Sequence, residues 1–251
     1  MPEGLPRFSG RERLLLMGSC FATNIGTRLV EAKFACDVNP YGVLYNPMSI
    51  SAALREALEG KVYRADDLQA YGGLWHSPMH HGDFSAPTAE EALECINMRL
   101  EALREELKGL DVLVATWGTA WVYEDAQTGR IVGNCHKRPE RCFRRRRLTV
   151  EEVTDDWCDL VRRLRAANPR LRVLLTVSPI RHLRDGLHAN QLSKATLLLA
   201  ADSRRRSGGN GRAGSSRTGA RRRRSCRPEG RQEKGRRLVQ QEGPRDGSRQ
   251  G

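Results

Sequence analysis

The chain has 251 residues, with 43 Lys and Arg against 30 Asp and Glu, a formal net charge of +13 and 39% hydrophobic residues. Such a length accommodates one medium domain or two small ones, and its longest apolar runs fall far short of the ~20 residues needed to span a bilayer. The charge sits at one end: from Ala201 onward 16 basic residues face 5 acids, leaving 27 against 25 over the first 200, so a nucleic-acid footprint is a property of the tail alone.

Taken in chain order, Leu14–Met17 is a short apolar run closed by Gly18 and reads as a buried strand. Phe21, Ile25, Leu29 and Val30 follow at helical spacing up to about Ala35, which puts Ser19 and Cys20 in a sharp strand-to-helix turn. A second short strand is expected at 35–38, then the loop Asn39-Pro40-Tyr41-Gly42. Asn46-Pro47 is an N-cap followed by proline at the first helical position, and Gly60 ends the helix that it opens. Residues 61–87 show no regular pattern and carry His76, His80 and His81.

Thr88 and Glu91 have the spacing of a capping box, and Leu93, Ile96, Leu100, Leu103 and Leu107 make the apolar stripe of a helix that Gly109 closes. A strand is expected at about Val112–Thr116, then a hairpin pairing Trp121–Tyr123 with Arg130–Val132. Arg144 to Arg147 could grip an anion, although such a run is more often a solvated surface turn. Thr149 and Glu152 open another capped helix, stopped at Asn168-Pro169, and Val173–Val177 is a further buried strand ended by Ser178-Pro179. A last helix is expected from near Asn190, running into the Arg-rich tail.

Strands alternating with amphipathic helices imply an α/β fold with a mostly parallel sheet covered on both faces. Ligands bind such sheets beyond the carboxyl ends of the strands. The unusual segments lie there: Gly18-Ser19-Cys20, Asn39 to Gly42, Gly118-Thr119, and Ser178 to His182. Ser19 at the head of a helix is either a nucleophile near an anion-stabilising terminus or a simple N-cap. Cys20 is a rival nucleophile or a small buried apolar residue. His80-His81 and Cys135-His136 could converge on a metal, but their spacing matches no standard zinc pattern. The seven cysteines are scattered and odd in number, which suits reduced thiols in a cytoplasm better than a disulfide framework.

Gly18-Ser19-Cys20-Phe21-Ala22 spells the motif that names the GSCFA family. The resemblance continues through Asn39–Pro47, Gly118–Tyr123, Asn134-Cys135-His136-Lys137, Ser178-Pro179-Ile180-Arg181-His182 and Asp185–Lys194, covering about residues 10–200. That family looks like a branch of the SGNH hydrolases, so the resemblance implies a three-layer α/β/α esterase fold in residues 1–200. Ser19 would be its nucleophile, with the N–H groups of Ser19 and Gly42, and the Gly118-Thr119 turn, around the oxyanion. Thr119 departs from the Asn of SGNH enzymes and puts that donor in doubt. Cys20, His136, Arg181 and His182 would line the site.

The resemblance implies no cofactor, no membrane partner, and a small-molecule or glycan ester as substrate; oligomeric state is not legible. SGNH enzymes carry their base in a late Asp-x-x-His block. Asp185-x-x-His188 has that spelling but follows the Ser178-Pro179 strand too closely. Where the block is expected stands an Arg/Gly/Ser tail, residues 201–251, which has no Phe, Trp or Tyr and resembles out-of-frame translation of a GC-rich frame. It is expected to be disordered, since it cannot offset its chain entropy by apolar burial. Three functions follow as alternatives: a serine hydrolase impaired by loss of its base, a non-catalytic remnant of such a domain, and anion or nucleic-acid contact through the tail.

Overall fold

The computed structural model describes residues 8–181 and 185–208; the tail beyond residue 208 lies outside the described residues. Four parallel strands form the central sheet: β1 (Arg13–Gly18), β2 (Ala35–Val38), β5 (Val112–Trp117) and β9 (Arg172–Val177), in the spatial order β2-β1-β5-β9. Each apolar run predicts its strand because continuous burial, not alternation, marks a parallel strand covered on both faces.

Strand periodicity sorts the side chains into two cores. Leu15, Met17, Leu113, Ala115 and Trp117 face α2 (Pro47–Glu59), α3 (Ala89–Gly109), α4 (Val150–Ala167) and α5 (Gly186–Gly208), meeting Leu54, Ile96, Trp157 and Leu197. Leu14, Leu16 and Val112 face the other way, toward Leu29 of α1 (Cys20–Glu31). The result is the expected three-layer α/β/α arrangement. Helix α1 approaches through its smallest residues, Ala22 and Gly26; a Cβ on Gly26 would lie 2.5 Å from Val38. Ile25 and Val30, part of the predicted helical pattern, face outward.

The caps act as the sequence predicts at Asn46, Gly60 and Thr149, while the predicted Thr88–Glu91 capping box is made in one direction only. Asn46 accepts from the Ser49 N–H, Gly60 ends α2 in the left-handed region, and Thr149 and Glu152 complete a reciprocal capping box. At Thr88 the side chain accepts from the Glu91 N–H. The Trp157 indole N–H donates to the Pro47 carbonyl at 3.1 Å and joins α4 to the head of α2.

Two small sheets sit outside the main one. β3 (Gln69–Tyr71) and β4 (Leu74–His76) form a ribbon in the segment expected to be irregular. The predicted hairpin, β6 (Trp121–Asp125) with β7 (Ile131–Val132), gains a third strand, β8 (Phe143–Arg147). The arginine run is therefore a strand rather than a surface turn. Its alternation puts Arg144 and Arg146 on the buried Glu124 carboxylate and sends Arg145 to the opposite face, over Trp121. Helix α5 begins at Gly186, four residues before its predicted start.

Candidate active site

The turn between β1 and α1 is built around Gly18 and Ser19. Gly18 has φ +145°, and a Cβ there would lie 2.1 Å from the Thr116 carbonyl oxygen, so no other residue fits. Ser19 occupies the N-cap position of α1 in extended conformation, yet its side chain makes no capping hydrogen bond. An N-cap bond normally stabilises a helix by ~1 kcal/mol, so its absence argues against a purely structural serine. The hydroxyl is buried and has no hydrogen-bond partner among the described residues. Its surroundings are the backbone of Thr116, which accepts the Ser19 N–H at 3.3 Å, and Gly118, where a Cβ would come within 3.2 Å of the Ser19 Cβ and 3.4 Å of the Tyr45 ring.

Asn39 clasps the second loop to this corner. With φ +49° it turns its amide back, accepting the Gly18 N–H at 2.8 Å and donating to the Thr23 hydroxyl at 2.8 Å. The Leu44 N–H then donates to the Gly18 carbonyl at 3.1 Å. In the sequence Asn39 reads as a loop residue without a role; an asparagine, which tolerates the left-handed region, was the available signal.

The backbone donors named for an oxyanion are engaged elsewhere. The Gly42 N–H donates to the Asn39 carbonyl at 2.7 Å, and the Gly118 and Thr119 N–H groups share the Tyr45 carbonyl at 2.7 and 3.0 Å. The Thr119 hydroxyl lies 3.1 Å from that of Ser193 on α5 and accepts the Trp121 N–H. In the first turn of α1 the Ala22 and Thr23 N–H groups donate to the Ser19 carbonyl at 2.8 and 3.3 Å, which leaves those of Cys20 and Phe21 as the donors at this corner without a backbone acceptor among the described residues. Half-buried Cys20 lies near Tyr45, whose phenol is pushed above its ordinary value first by burial and then by the Cys20 charge.

A cavity of about 320 Å³ opens beside the corner, lined by Tyr45, His81, Thr119, Trp121, Arg145 and Asp185 among others. Asp185 does not face His188. Its carboxylate, only 5% exposed, pairs with Arg145, whose guanidinium lies 4.3 Å over the Trp121 ring. His188 is exposed on the first turn of α5. Arg181 is also exposed and lines a separate groove of about 530 Å³ between the end of β9 and α5; His182 lies outside the described residues.

The His136 Nε2–H donates to the Ser77 carbonyl, 2.8 Å away, and the ring stacks on His76 at 4.4 Å; burial first lowers its pKa. His80 is sealed beneath Tyr41, stacked at 4.0 Å, with Nδ1 on the Ser77 hydroxyl at 2.8 Å. Burial, then the charges of Lys61 and His136, depresses its pKa to about 3. Among the described residues, no three His, Cys, Asp or Glu side chains group as a metal site requires.

Two residues at this end of the sheet stand outside the resemblance-derived site: Lys194, with no role in the sequence reading, and His81, considered there only with His80 for a metal. Lys194 donates to the carbonyls of Gly118 at 2.5 Å and Ser178 at 2.7 Å, pinning α5 to the ends of β5 and β9, and burial lowers its pKa. His81 packs on Gly42, where a Cβ would lie 2.1 Å from its own, and its Nδ1 is 2.9 Å from an Asp83 carboxylate oxygen.

No helix among the described residues is long and apolar enough to cross a membrane. Residues 13–209 match the GSCFA family. No curated protein and no solved structure matches the chain.

Proposed function

The chain belongs to the GSCFA family, and from that premise we propose that it is an SGNH-like serine hydrolase acting on small-molecule or glycan esters, with Ser19 as nucleophile. One observation carries this reading: a buried hydroxyl, withheld from the capping bond its position offers, stands at a strand-to-helix corner beside the loops around Gly42 and Gly118. A buried polar atom left without a partner needs a reason, and reactivity is one.

In the proposed reaction the Ser19 Oγ attacks the ester carbonyl, its proton passes to a base, and the Cys20 and Phe21 N–H groups at the head of α1 stabilise the oxyanion. The base returns the proton to the departing alcohol, and water then releases the acid from acyl-Ser19. Substrate enters from the cavity that Tyr45 and Thr119 line beside this corner. A cavity of about 320 Å³ suits a compact alcohol or a single sugar ring better than a long lipid. Six thiols, none in a disulfide among the described residues, support a reducing compartment such as the cytoplasm.

A second reading, a GSCFA domain without catalysis, draws support from Asp185: committed to Arg145, it does not orient His188. Hydrolysis of p-nitrophenyl acetate by the wild-type chain and by Ser19→Ala separates the two. A hydrolase loses at least ~10²-fold of its rate with the nucleophile; a domain without catalysis shows equal background rates.

A further inference from the structure

The groove between the end of β9 and α5 is separate from the cavity beside Ser19 and has no role in the proposed reaction. We propose that it binds an apolar carboxylate, a fatty acid of medium chain length, whose head is held by Asn190, Lys194 and Arg181.

The groove exists because α5 carries two stripes. Ser193, Leu197 and Ala200 turn into the core and are buried. Leu187, Asn190, Lys194 and Leu198 recur at three- and four-residue spacing, which marks a second face of the same helix. This face lines the groove opposite Val177 and Pro179. Leu187 and Leu198 are exposed, so the apolar wall stands open to solvent. The volume of about 530 Å³ lies within the ~300–1,000 Å³ of small-molecule sites.

The polar groups of the groove are short of acceptors. Asn190 is only 6% exposed, and its Nδ2 has no hydrogen-bond partner among the described residues. A buried donor of this kind loses its hydration and gains nothing in return. Lys194 follows at i+4, the position that faces Asn190 one turn along the helix. Its ammonium donates to the Gly118 and Ser178 carbonyls at 2.5 and 2.7 Å, which leaves one of three hydrogens for a ligand. Those carbonyls orient the amine but bring no negative charge, and burial disfavours its charged form. Arg181 adds an exposed guanidinium to the lining, and among the described residues no carboxylate lines the groove.

An amide donor without an acceptor, a half-buried ammonium without a counter-charge and a guanidinium therefore adjoin an apolar wall. The complementary ligand is negative and rich in acceptors at one end and hydrocarbon at the other. A carboxylate supplies two coplanar oxygens, one for the Asn190 amide and one for the Lys194 ammonium. A sugar or nucleotide would leave Leu187 and Leu198 uncovered, and a neutral lipid would leave Lys194 without its charge partner. The assignment does not depend on the reactivity of Ser19.

Titration calorimetry of the full chain with sodium octanoate, kept below its micelle-forming concentration, is the test. The wild-type chain binds octanoate at one site. Acetate, which lacks the chain, and 1-octanol, which lacks the charge, bind at least ~10-fold more weakly. Each methylene added between octanoate and decanoate tightens binding by up to about fourfold. Asn190→Asp keeps the shape of the side chain but sets a carboxylate against that of the ligand, and it abolishes binding. Arg181→Ala, at an exposed position where the fold is not at stake, weakens octanoate about two- to fivefold and leaves 1-octanol unchanged. A folded wild-type chain that binds no octanoate, or binds 1-octanol as tightly, overturns the proposal. Octanoate affinity left unchanged by Arg181→Ala and by a folded Asn190→Asp overturns it as well.

Discussion

The carboxylate of Asp185, at the head of α5, closes an ion pair with the guanidinium of Arg145 on β8. Arg145 in turn lies 4.3 Å over the Trp121 ring and 5.5 Å over that of Tyr123. The contact ties α5 to the three-stranded outer sheet and forms one wall of the candidate cavity.

Asp185→Asn should therefore cost stability rather than chemistry. A pair with one nearly enclosed partner lies between exposed bridges, worth under ~1 kcal/mol, and buried ones, where removing one partner costs ~3–5 kcal/mol. A loss of about 1–3 kcal/mol in urea denaturation is expected, with Ser19 reactivity retained. Unchanged stability would show that the pair does not hold α5.

Gly18→Ala should be among the most damaging single substitutions. The added Cβ meets the Thr116 carbonyl at 2.1 Å and the backbone stands at φ +145°. Crowding of this kind costs ~1–3 kcal/mol before the backbone strain is added. Gly72→Ala, also at positive φ but with nothing within 4 Å, carries the strain without the clash and should cost less. Thermal melts of the two variants give the comparison; equal losses would refute the close approach of β1 to β5 at Gly18.

Acid should weaken the fold through His80. Its folded pKa of about 3 lies below the ordinary 6.5, so the unfolded chain takes up a proton below pH 6.5 while the folded chain does not. Its contribution is whole above pH 6.5 and is lost as pH falls toward 3. Glu106, raised by burial and by its hydrogen bond to Asp37, has the opposite sign: its contribution is whole at low pH and is lost as pH rises above the usual carboxylate range. From pH 7 to pH 4.5, His80 should remove about 2–3 kcal/mol, and His80→Phe should shrink that loss in paired denaturation curves. An equal loss in both proteins would mean that His80 takes up its proton in the folded state.

The parallel sheet was legible because Leu14–Met17, Val112–Thr116 and Val173–Val177 are short apolar runs, broken only by Thr116 and Thr176, and alternate with amphipathic helices. Strand β8 was hidden for the converse reason: Arg144 to Arg147 are polar on both faces, and only the positions of Glu124 and Trp121 show that they alternate. The ribbon of β3 and β4 is too short, at three residues a strand, to carry a period. At the site, Gly18-Ser19 and the loops of Gly42 and Gly118 could be brought to one corner from strand order alone. The facing of Asp185 could not, since its partner is 40 residues distant in sequence. Nor could the orientation of His81, which depends on a loop folding back onto Gly42.

Trapping the acyl intermediate tests the central claim most directly. The folded chain is mixed with p-nitrophenyl acetate, quenched in acid and digested, and the peptide carrying residues 19 and 20 is fragmented to locate any acetyl group. The account predicts acetylation on the Ser19 oxygen, absent from Ser19→Ala. Acetyl on the Cys20 sulfur instead, or none on a chain shown to be folded, would contradict it.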